Sequence, residues 1–220
     1  QDNQPGRIMM ANFLSFLKES PLIAILRGIT PAEVIEISEA LVEKNFKIIE
    51  IPLNSPDPIE SIEMLVSHFK DEVIIGAGTV TDLTSIKLIV EAGARLSVMP
   101  NGSIRIVKAA KASGLITIPG VFTPTEAFAM IESGADALKL FPAEGAPPMV
   151  LKAMKAVLPT AIPILPVGGI TPDKMAEYQK AGANGFGLGS ALYKPGMTVD
   201  EVAQNADAFN EGLKGSARDL

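Results

Sequence analysis

A repeated unit dominates this chain: a short apolar run, a turn, an amphipathic helix and a helix-ending residue before the next apolar run. Runs that are apolar on both faces are typical of buried parallel strands. Eight such runs follow one another, over residues 22–26, 48–53, 73–77, 96–99, 115–118, 137–141, 162–167 and 186–188. Eight strand–helix units predict an α/β fold with a single (β/α)8 TIM barrel. A doubly wound open sheet is the alternative, but it does not need eight even units, and no Gly-x-Gly-x-x-Gly follows an early run.

The ends of the predicted helices repeat as well. Threonine, followed by proline or by glutamate in the patterns typical of a helix start, stands at Thr30, Thr123, Thr171 and Thr198. Residues that readily adopt the left-handed conformation precede the next apolar run at Asn45, Gly93, Gly114, Gly134 and Gly182. The predicted helices therefore have defined boundaries on both sides.

The chain has 220 residues, of which 47% are hydrophobic, enough for one barrel domain. Residues 1–12 are predicted to be a disordered leader or an expression remnant, and residues 13–220 the barrel domain. An extra N-terminal helix packed on the barrel is predicted from the helical spacing of Phe13, Leu14, Phe16 and Leu17.

Several classes of function are disfavoured by composition. The chain has no cysteine and a single histidine, His68, so thiolate metal sites, disulfides and a Ser-His-Asp triad are not expected. A net charge of −6 and the absence of tryptophan argue against nucleic acid as a partner. No apolar run reaches the roughly 18 residues of a membrane span. A cytoplasmic protein that binds neither nucleic acid nor membranes is expected.

Lys139 lies in the middle of an apolar run, where alternation places its side chain on the same face as Ala137 and Phe141. Burial disfavours an ammonium group, so the pKa of this lysine is expected to fall. A neutral lysine amine is a nucleophile toward ketones and aldehydes. The alternative is a structural lysine that pairs with a buried acid or extends out of the strand end.

Glu50 is the acid that fits this partnership, because it lies among isoleucines in the second run. A glutamate is rarely buried without a partner. Lys139 and Glu50 at the carboxyl ends of two barrel strands suggest a nucleophile and a proton shuttle. A static ion pair that closes the barrel mouth is the alternative interpretation.

A second constellation lies at the ends of the last two runs, Gly168-Gly169 and Gly189-Ser190. Exposed backbone N–H groups in this position of a barrel commonly bind phosphate. No lysine accompanies these glycines in the sequence pattern, so a phosphate is expected to be held mainly by amide donors and dipoles. The alternative is that the glycines only turn the chain.

Taken together, the strand ends resemble those of the class I 2-keto-3-deoxy-6-phosphogluconate and -galactonate aldolases. The matching segments cover residues 25–28, 50–56, 76–80, 99–101, 139–143, 167–169 and 189–190. The resemblance implies that Lys139 is the Schiff-base lysine and Glu50 the general acid/base. It also implies substrate contacts at Arg27, Asn54, Thr79, Pro100, Phe141, Val167, Gly168, Gly169, Gly189 and Ser190. It implies no cofactor and no metal, and a homotrimer, which is common in the family.

The two branches of this family act on substrates that differ in configuration at C4. Asn54 and Val167 look like the phosphogalactonate branch, whereas the segment from Phe141 to Glu144 looks like the phosphogluconate branch. The expected reaction is cleavage of 2-dehydro-3-deoxy-6-phosphogalactonate to pyruvate and D-glyceraldehyde 3-phosphate. The same chemistry on the phosphogluconate epimer or on 4-hydroxy-2-oxoglutarate is one alternative. A phosphosugar isomerase or decarboxylase without an imine, or a non-catalytic phosphometabolite-binding barrel, is another.

Overall fold

The computed structural model describes residues 5–215, with side chains from Met9 onward. Within this range the strands are β1 (Leu22–Ile25), β2 (Ile48–Pro52), β3 (Ile74–Gly78), β4 (Leu96–Val98), β5 (Ile116–Ile118), β6 (Gly120–Val121), β7 (Leu138–Leu140), β8 (Ile164–Pro166) and β9 (Phe186–Leu188). The helices are α1 (Pro5–Glu19), α2 (Pro31–Glu43), α3 (Pro58–Phe69), α4 (Leu83–Glu91), α5 (Ile104–Ala112), α6 (Pro124–Glu132), α7 (Pro148–Lys155), α8 (Met175–Lys180) and α9 (Val199–Gly215). None of these helices combines the length and hydropathy needed to cross a membrane.

The strands form two parallel sheets. The larger has the order β5-β4-β3-β2-β1-β9 and forms half of a barrel, and the smaller has the order β6-β7-β8. Backbone links join the sheets at both ends: the amide of Lys139 donates to the carbonyl oxygen of Pro119 at 2.9 Å, and Val167 forms a parallel bridge with Gly187. The result is an α/β fold with alternating strands and helices, as the sequence predicted.

Each of the eight predicted runs contains a strand, and the fifth is followed at once by an additional short strand, β6. The interruption lies at Pro119, between β5 and β6. Proline lacks the N–H that a strand ladder requires, so a break at this residue is expected.

Two apolar cores pack on opposite faces of the strands. Between strands and helices lies the larger one, which includes Ile49, Ile51, Leu138 and Leu140. Inside the curved sheets lies the smaller one, formed by Ile23, Ile48, Ile74, Leu96, Val98, Ile116, Ile118, Ala137 and Leu165. Helix α1 contributes the buried residues Phe13 and Leu17 to this inner core. The predicted N-terminal helix therefore covers the amino ends of the strands and leaves their carboxyl ends open.

The start of α1 differs from the prediction of a disordered leader over residues 1–12. The helix begins at Pro5, so that segment is helical from Pro5 onward, and residues 1–4 lie outside the described part of the chain. Met9 and Met10 extend the apolar face of the helix and pack against the inner core. The sequence does not indicate this extension, because Pro5-Gly6 and the polar residues before them resemble a leader.

The predicted helix caps are confirmed at most positions. Thr123 and Glu126 form a reciprocal capping box, and Thr198 and Glu201 exchange the same pair of hydrogen bonds. Thr30 and Thr171 depart from the pattern, because neither side chain accepts a hydrogen bond from a backbone N–H of its helix; the Thr30 hydroxyl donates to the Glu33 carboxylate. Left-handed φ angles between 66° and 102° occur at Asn45, Gly93, Gly114, Gly134 and Gly182.

Candidate active site

Lys139 is the central residue of β7, and its side chain enters the interior of the sheets. Its neighbours Leu138 and Leu140 pack outward against the helices, so strand alternation directs the lysine inward. Only 5% of the residue is exposed, and the Nζ atom lies 4.5 Å from the centroid of the Phe141 ring. Burial lowers the pKa of Lys139, the Glu50 carboxyl opposes this shift, and the Arg27 guanidinium adds to it. The environment therefore favours a neutral amine.

Glu50 occupies the equivalent inward position on β2. It is 1% exposed, and its Oε2 atom has no hydrogen-bond partner among the described residues. Burial raises the pKa of Glu50 from 4.5 to about 7, while Lys139 and Arg27 oppose the rise. An acid with a pKa of about 7 can both donate and accept a proton near neutral pH.

Gly78, at the end of β3, makes room for the Glu50 carboxyl group. A methyl group on Gly78 would lie 1.9 Å from Oε2 of Glu50, far inside van der Waals contact. The carboxyl group therefore lies directly against the backbone of the neighbouring strand, and its position depends on glycine at this point.

Two cavities meet at Lys139. The inner one is small and apolar apart from Glu50 and Lys139. The outer one has a volume of about 520 Å³, within the range of small-molecule sites, and opens at the carboxyl ends of the strands. Ile25, Lys139 and Val167 line both. A ligand in the outer cavity can therefore reach the lysine amine, with Glu50 behind it.

Arg27 is held at the mouth of the outer cavity by side chains from two other strand ends. Its Nη1 atom donates to Oδ1 of Asn54 and, at 3.3 Å, to Oγ1 of Thr79. Thr79 has a φ angle of 57°, an uncommon conformation for a β-branched residue. Three predicted site residues are thus brought together into one hydrogen-bonded group that carries a positive charge.

Both predicted glycine segments, Gly168-Gly169 and Gly189-Ser190, line the outer cavity. Gly168 and Gly169 both have positive φ angles, 109° and 63°, which other residues adopt only with strain. Val167 and Phe141 line the same cavity. Pro100 lies apart from this lining, half-buried, with its carbonyl oxygen against Gly120.

The expectation that no lysine accompanies the glycines is wrong. Lys194 lines the outer cavity a few residues beyond Ser190, and the Nζ atom of Lys174 donates to the carbonyl oxygen of Gly169 at 2.8 Å. Glu144 also lines this cavity. These three residues lie beyond the strand ends, in the loops and turns that follow, where the strand pattern makes no prediction.

A set of hydrogen bonds that the sequence does not indicate connects the segment after β9 to the start of α2. The Tyr193 hydroxyl donates to Oε1 of Glu33 at 2.7 Å, and Thr30 donates to the other carboxylate oxygen at 2.8 Å. Burial and the bond to Glu33 raise the pKa of Tyr193. Pro195 packs against Gly28. These contacts hold the loop after β9, which carries Ser190, next to the loop after β1, which carries Arg27.

No cluster of three or more histidine, aspartate or glutamate side chains suited to a metal ion occurs between Met9 and Gly215. The ionisable side chains that line the outer cavity are Arg27, Lys139, Glu144, Tyr193 and Lys194. Such a set suits an anionic organic substrate with a carbonyl group that the amine can attack.

Comparisons with known proteins agree with this chemistry. A family model described as KDPG and KHG aldolase matches residues 14–207. A probable 2-dehydro-3-deoxy-6-phosphogalactonate aldolase of Rhizobium meliloti is 47% identical over 190 residues, which cover 86% of this chain and 90% of the relative. The 2-dehydro-3-deoxy-6-phosphogalactonate aldolase of Escherichia coli is 44% identical over 189 residues, covering 86% and 92%.

Solved structures show the same relationship. A structure described as native KDPGal has a TM-score of 0.88 and 42% identity, and the match covers 90% of this chain and 96% of that one. The KDPG aldolase of Legionella pneumophila, with pyruvate captured as a covalent carbinolamine intermediate, has a TM-score of 0.73 and 27% identity, with 98% of both chains covered.

Proposed function

The chain belongs to the KDPG and KHG aldolase family, and on that basis we propose that it is a class I aldolase that cleaves 2-dehydro-3-deoxy-6-phosphogalactonate to pyruvate and D-glyceraldehyde 3-phosphate. The observation that carries this proposal is the placement of Lys139 and Glu50 in one buried cavity, each with a pKa displaced toward its neutral form. The carbinolamine captured in the Legionella relative supports a covalent mechanism.

In the first half of the reaction, the Lys139 amine attacks the C2 ketone of the substrate. Loss of water from the resulting carbinolamine leaves a protonated imine, which acts as an electron sink. Burial favours this step because it keeps a fraction of the amine neutral. The apolar inner cavity also limits access of water to the reacting carbon.

In the second half, Glu50 accepts the proton of the C4 hydroxyl group through a water molecule. The C3–C4 bond breaks, its electrons flow into the imine to form an enamine, and D-glyceraldehyde 3-phosphate leaves. Glu50 then returns the proton to C3, and hydrolysis of the imine releases pyruvate and the Lys139 amine. A carboxyl group with a pKa of about 7 suits both directions of transfer.

The two anionic ends of the substrate are assigned to two different parts of the outer cavity. Arg27, held by Asn54 and Thr79, contacts the carboxylate. Phe141, which lines the outer cavity, borders the pyruvate half, and a contact of Pro100, which lines neither cavity, stays a prediction from the resemblance. The phosphate is assigned to the part of the cavity where amide donors and hydroxyl or ammonium groups are available from Gly168, Gly169, Gly189, Ser190 and Lys194.

We also propose that the strands close into a single (β/α)8 barrel with α1 as the additional helix. In this arrangement β5 and β6 form one strand interrupted at Pro119. The links between Lys139 and Pro119 and between Val167 and Gly187 support the closure, since they connect the two sheets on both sides.

Val167 is the residue through which we expect the preference for the C4 epimer to act. It is buried and lines both cavities at Lys139, and valine offers no hydroxyl group to a substrate. The wild-type protein is expected to favour the phosphogalactonate compound in kcat/KM. A Val167→Thr variant is expected to lose roughly tenfold of this preference, because a hydroxyl can hydrogen-bond the other epimer.

Side-by-side kinetics on the two epimers, with pyruvate release coupled to a dehydrogenase, measure the preference. No pyruvate from either epimer would contradict the aldolase proposal and favour a binding protein. Equal preferences in wild type and variant would refute only the role of Val167.

We further propose a homotrimer, the assembly that the family resemblance suggests. Most of the large exposed apolar side chains lie between the start of α4 and the residues just after α7: Leu83, Leu88, Val90, Ile104 (51% exposed), Phe122 (40%), Phe128 (41%), Met149 (74%) and Val157. An apolar surface of this kind is typical of a subunit interface. Light scattering is expected to give three times the chain mass of 23.1 kDa. The Phe128→Asp/Met149→Asp double variant is expected to give species smaller than the trimer. Leu14→Asp, on α1, is the control and is expected to leave the trimer intact. A monomeric wild type would contradict the proposal.

A further inference from the structure

Glu144 lies against the two glycines that are assigned to the phosphate. It belongs to the 3-10 turn Ala143–Gly145, which follows β7. A methyl group on Gly168 would lie 2.3 Å from Oε2 of Glu144, and one on Gly169 would lie 2.6 Å from its Cγ atom. The side chain therefore extends across both glycines, on the surface where the proposed phosphate would bind.

This carboxylate is unusual because it places a negative charge beside an expected anion site. The described hydrogen bonds and ion pairs include no partner for the Glu144 carboxylate, although Lys194 lines the same cavity. Two negative groups a few ångströms apart at a partly exposed site repel each other by an amount that affects binding severalfold or more. A phosphate dianion can therefore bind the glycines well only if Glu144 moves away.

The structure offers a place to which Glu144 can move. A second cavity of about 240 Å³ adjoins the outer cavity, and Glu144, Gly168 and Gly169 line both. Lys174 lines only the second cavity of the two. Its ammonium group donates one hydrogen bond to the carbonyl oxygen of Gly169, and an ammonium group has three donors. A carboxylate that turns into this cavity would meet a cation.

We propose that Glu144 is an anionic gate of the phosphate site and determines how strongly phosphate is held. In the unliganded protein the carboxylate covers Gly168 and Gly169. When a phosphate group binds, the carboxylate turns into the second cavity and pairs with Lys174. This inference rests on the proposed function in one respect, the assignment of the phosphate to Gly168, Gly169, Gly189 and Ser190. The gate weakens phosphate binding relative to the bare glycine site and so promotes release of the phosphorylated product.

The test is a Glu144→Gln variant, which keeps the shape of the side chain and removes its charge. Inorganic phosphate serves as the probe, by calorimetry and as a competitive inhibitor of turnover. The variant is expected to bind phosphate about tenfold more tightly and to show a similarly lower KM for the phosphorylated substrate. Glu60→Gln is the control, because Glu60 is exposed on α3 and lines neither cavity.

A double-mutant cycle with Lys174→Met separates the gate from a general charge effect. If Lys174 receives the displaced carboxylate, Lys174→Met weakens phosphate binding in the wild type and has a smaller effect in the Glu144→Gln background. Additive effects, or unchanged or weaker phosphate binding by Glu144→Gln, would overturn the gate while leaving the aldolase proposal intact. A wild-type protein that neither binds phosphate nor cleaves a phosphorylated substrate would overturn both.

Discussion

Replacing Lys139 by methionine is expected to abolish aldol cleavage, with a loss in kcat on the order of 10⁵-fold or more. Methionine retains an unbranched apolar side chain for the buried position but has no amine with which to form the imine. A protease that loses its covalent nucleophile loses about 10⁶-fold in kcat. A loss of comparable size is expected here because every later step proceeds through the imine.

Borohydride reduction in the presence of pyruvate provides the direct measurement. Mass spectrometry of the digested wild-type protein is expected to place one reduced pyruvate on the peptide that contains Lys139, and the methionine variant is expected to remain unlabelled. Lys155→Met is a suitable control. Burial lowers the pKa of Lys155 as it does that of Lys139, but Lys155 lies on helix α7 and not on a strand of the site. Labelling at any other lysine, or turnover by Lys139→Met, would refute the imine mechanism.

Replacing Glu50 by glutamine is expected to lower kcat by about 10²–10⁴-fold, the usual contribution of a general acid or base. In the wild type, kcat/KM is expected to fall below pH 7, because the carboxyl group must be ionised to accept the C4 hydroxyl proton and its pKa is about 7. The variant is expected to lose this acidic limb of the pH profile. An unchanged limb in Glu50→Gln would assign the ionisation to another group.

Folding stability provides a second measurement on the same variant. The pKa of Glu50 is higher in the folded protein, about 7, than the ordinary value of 4.5. Its contribution to stability is therefore fully present below pH 4.5 and is lost as the pH rises through 7. The shift corresponds to about 3 kcal/mol. Between pH 4 and pH 8, denaturant titrations are expected to show a smaller loss of stability in Glu50→Gln than in the wild type. The same titrations show whether the variant is folded, which separates lost activity from loss of fold.

Gly78→Ala tests the same residue by displacing the acid without removing it. The added methyl group would collide with Oε2 of Glu50, and a misplacement of about 1 Å can lower the rate about 100-fold. Gly215→Ala is the control, because its methyl group would meet open space. Full activity in Gly78→Ala would show that the position of the Glu50 carboxyl group is not critical.

The direction of the two principal side chains could be predicted from the sequence. Lys139 and Glu50 lie in short apolar runs, and strand alternation separates them from neighbours that face the helices. The helix boundaries were predictable for a similar reason, since a capping box or a left-handed glycine is a local arrangement within a few residues. The start of α1 could not be predicted from such local patterns, because Met9 and Met10 pack against the inner core, which is formed by distant parts of the chain.

The charged residues around the proposed phosphate site could not be predicted from local sequence patterns. Glu144, Lys174 and Lys194 lie in loops and turns whose direction depends on how the ends of the strands pack. The hydrogen bond between Tyr193 and Glu33 joins residues 160 positions apart, and no periodicity in the chain indicates it. Long-range contacts of this kind arise from the whole assembly of strands and helices.

The sequence alone therefore determined the order of strands and helices, their caps and the inward placement of an amine and an acid, because side-chain periodicity and backbone preferences act over a few residues. The tertiary structure decided how strongly that amine and acid are desolvated, which cavities they share and which charges surround the glycines of the proposed phosphate site. Those properties depend on side chains brought together from distant strand ends, and electrostatic interactions depend on distance in space and exclusion of water.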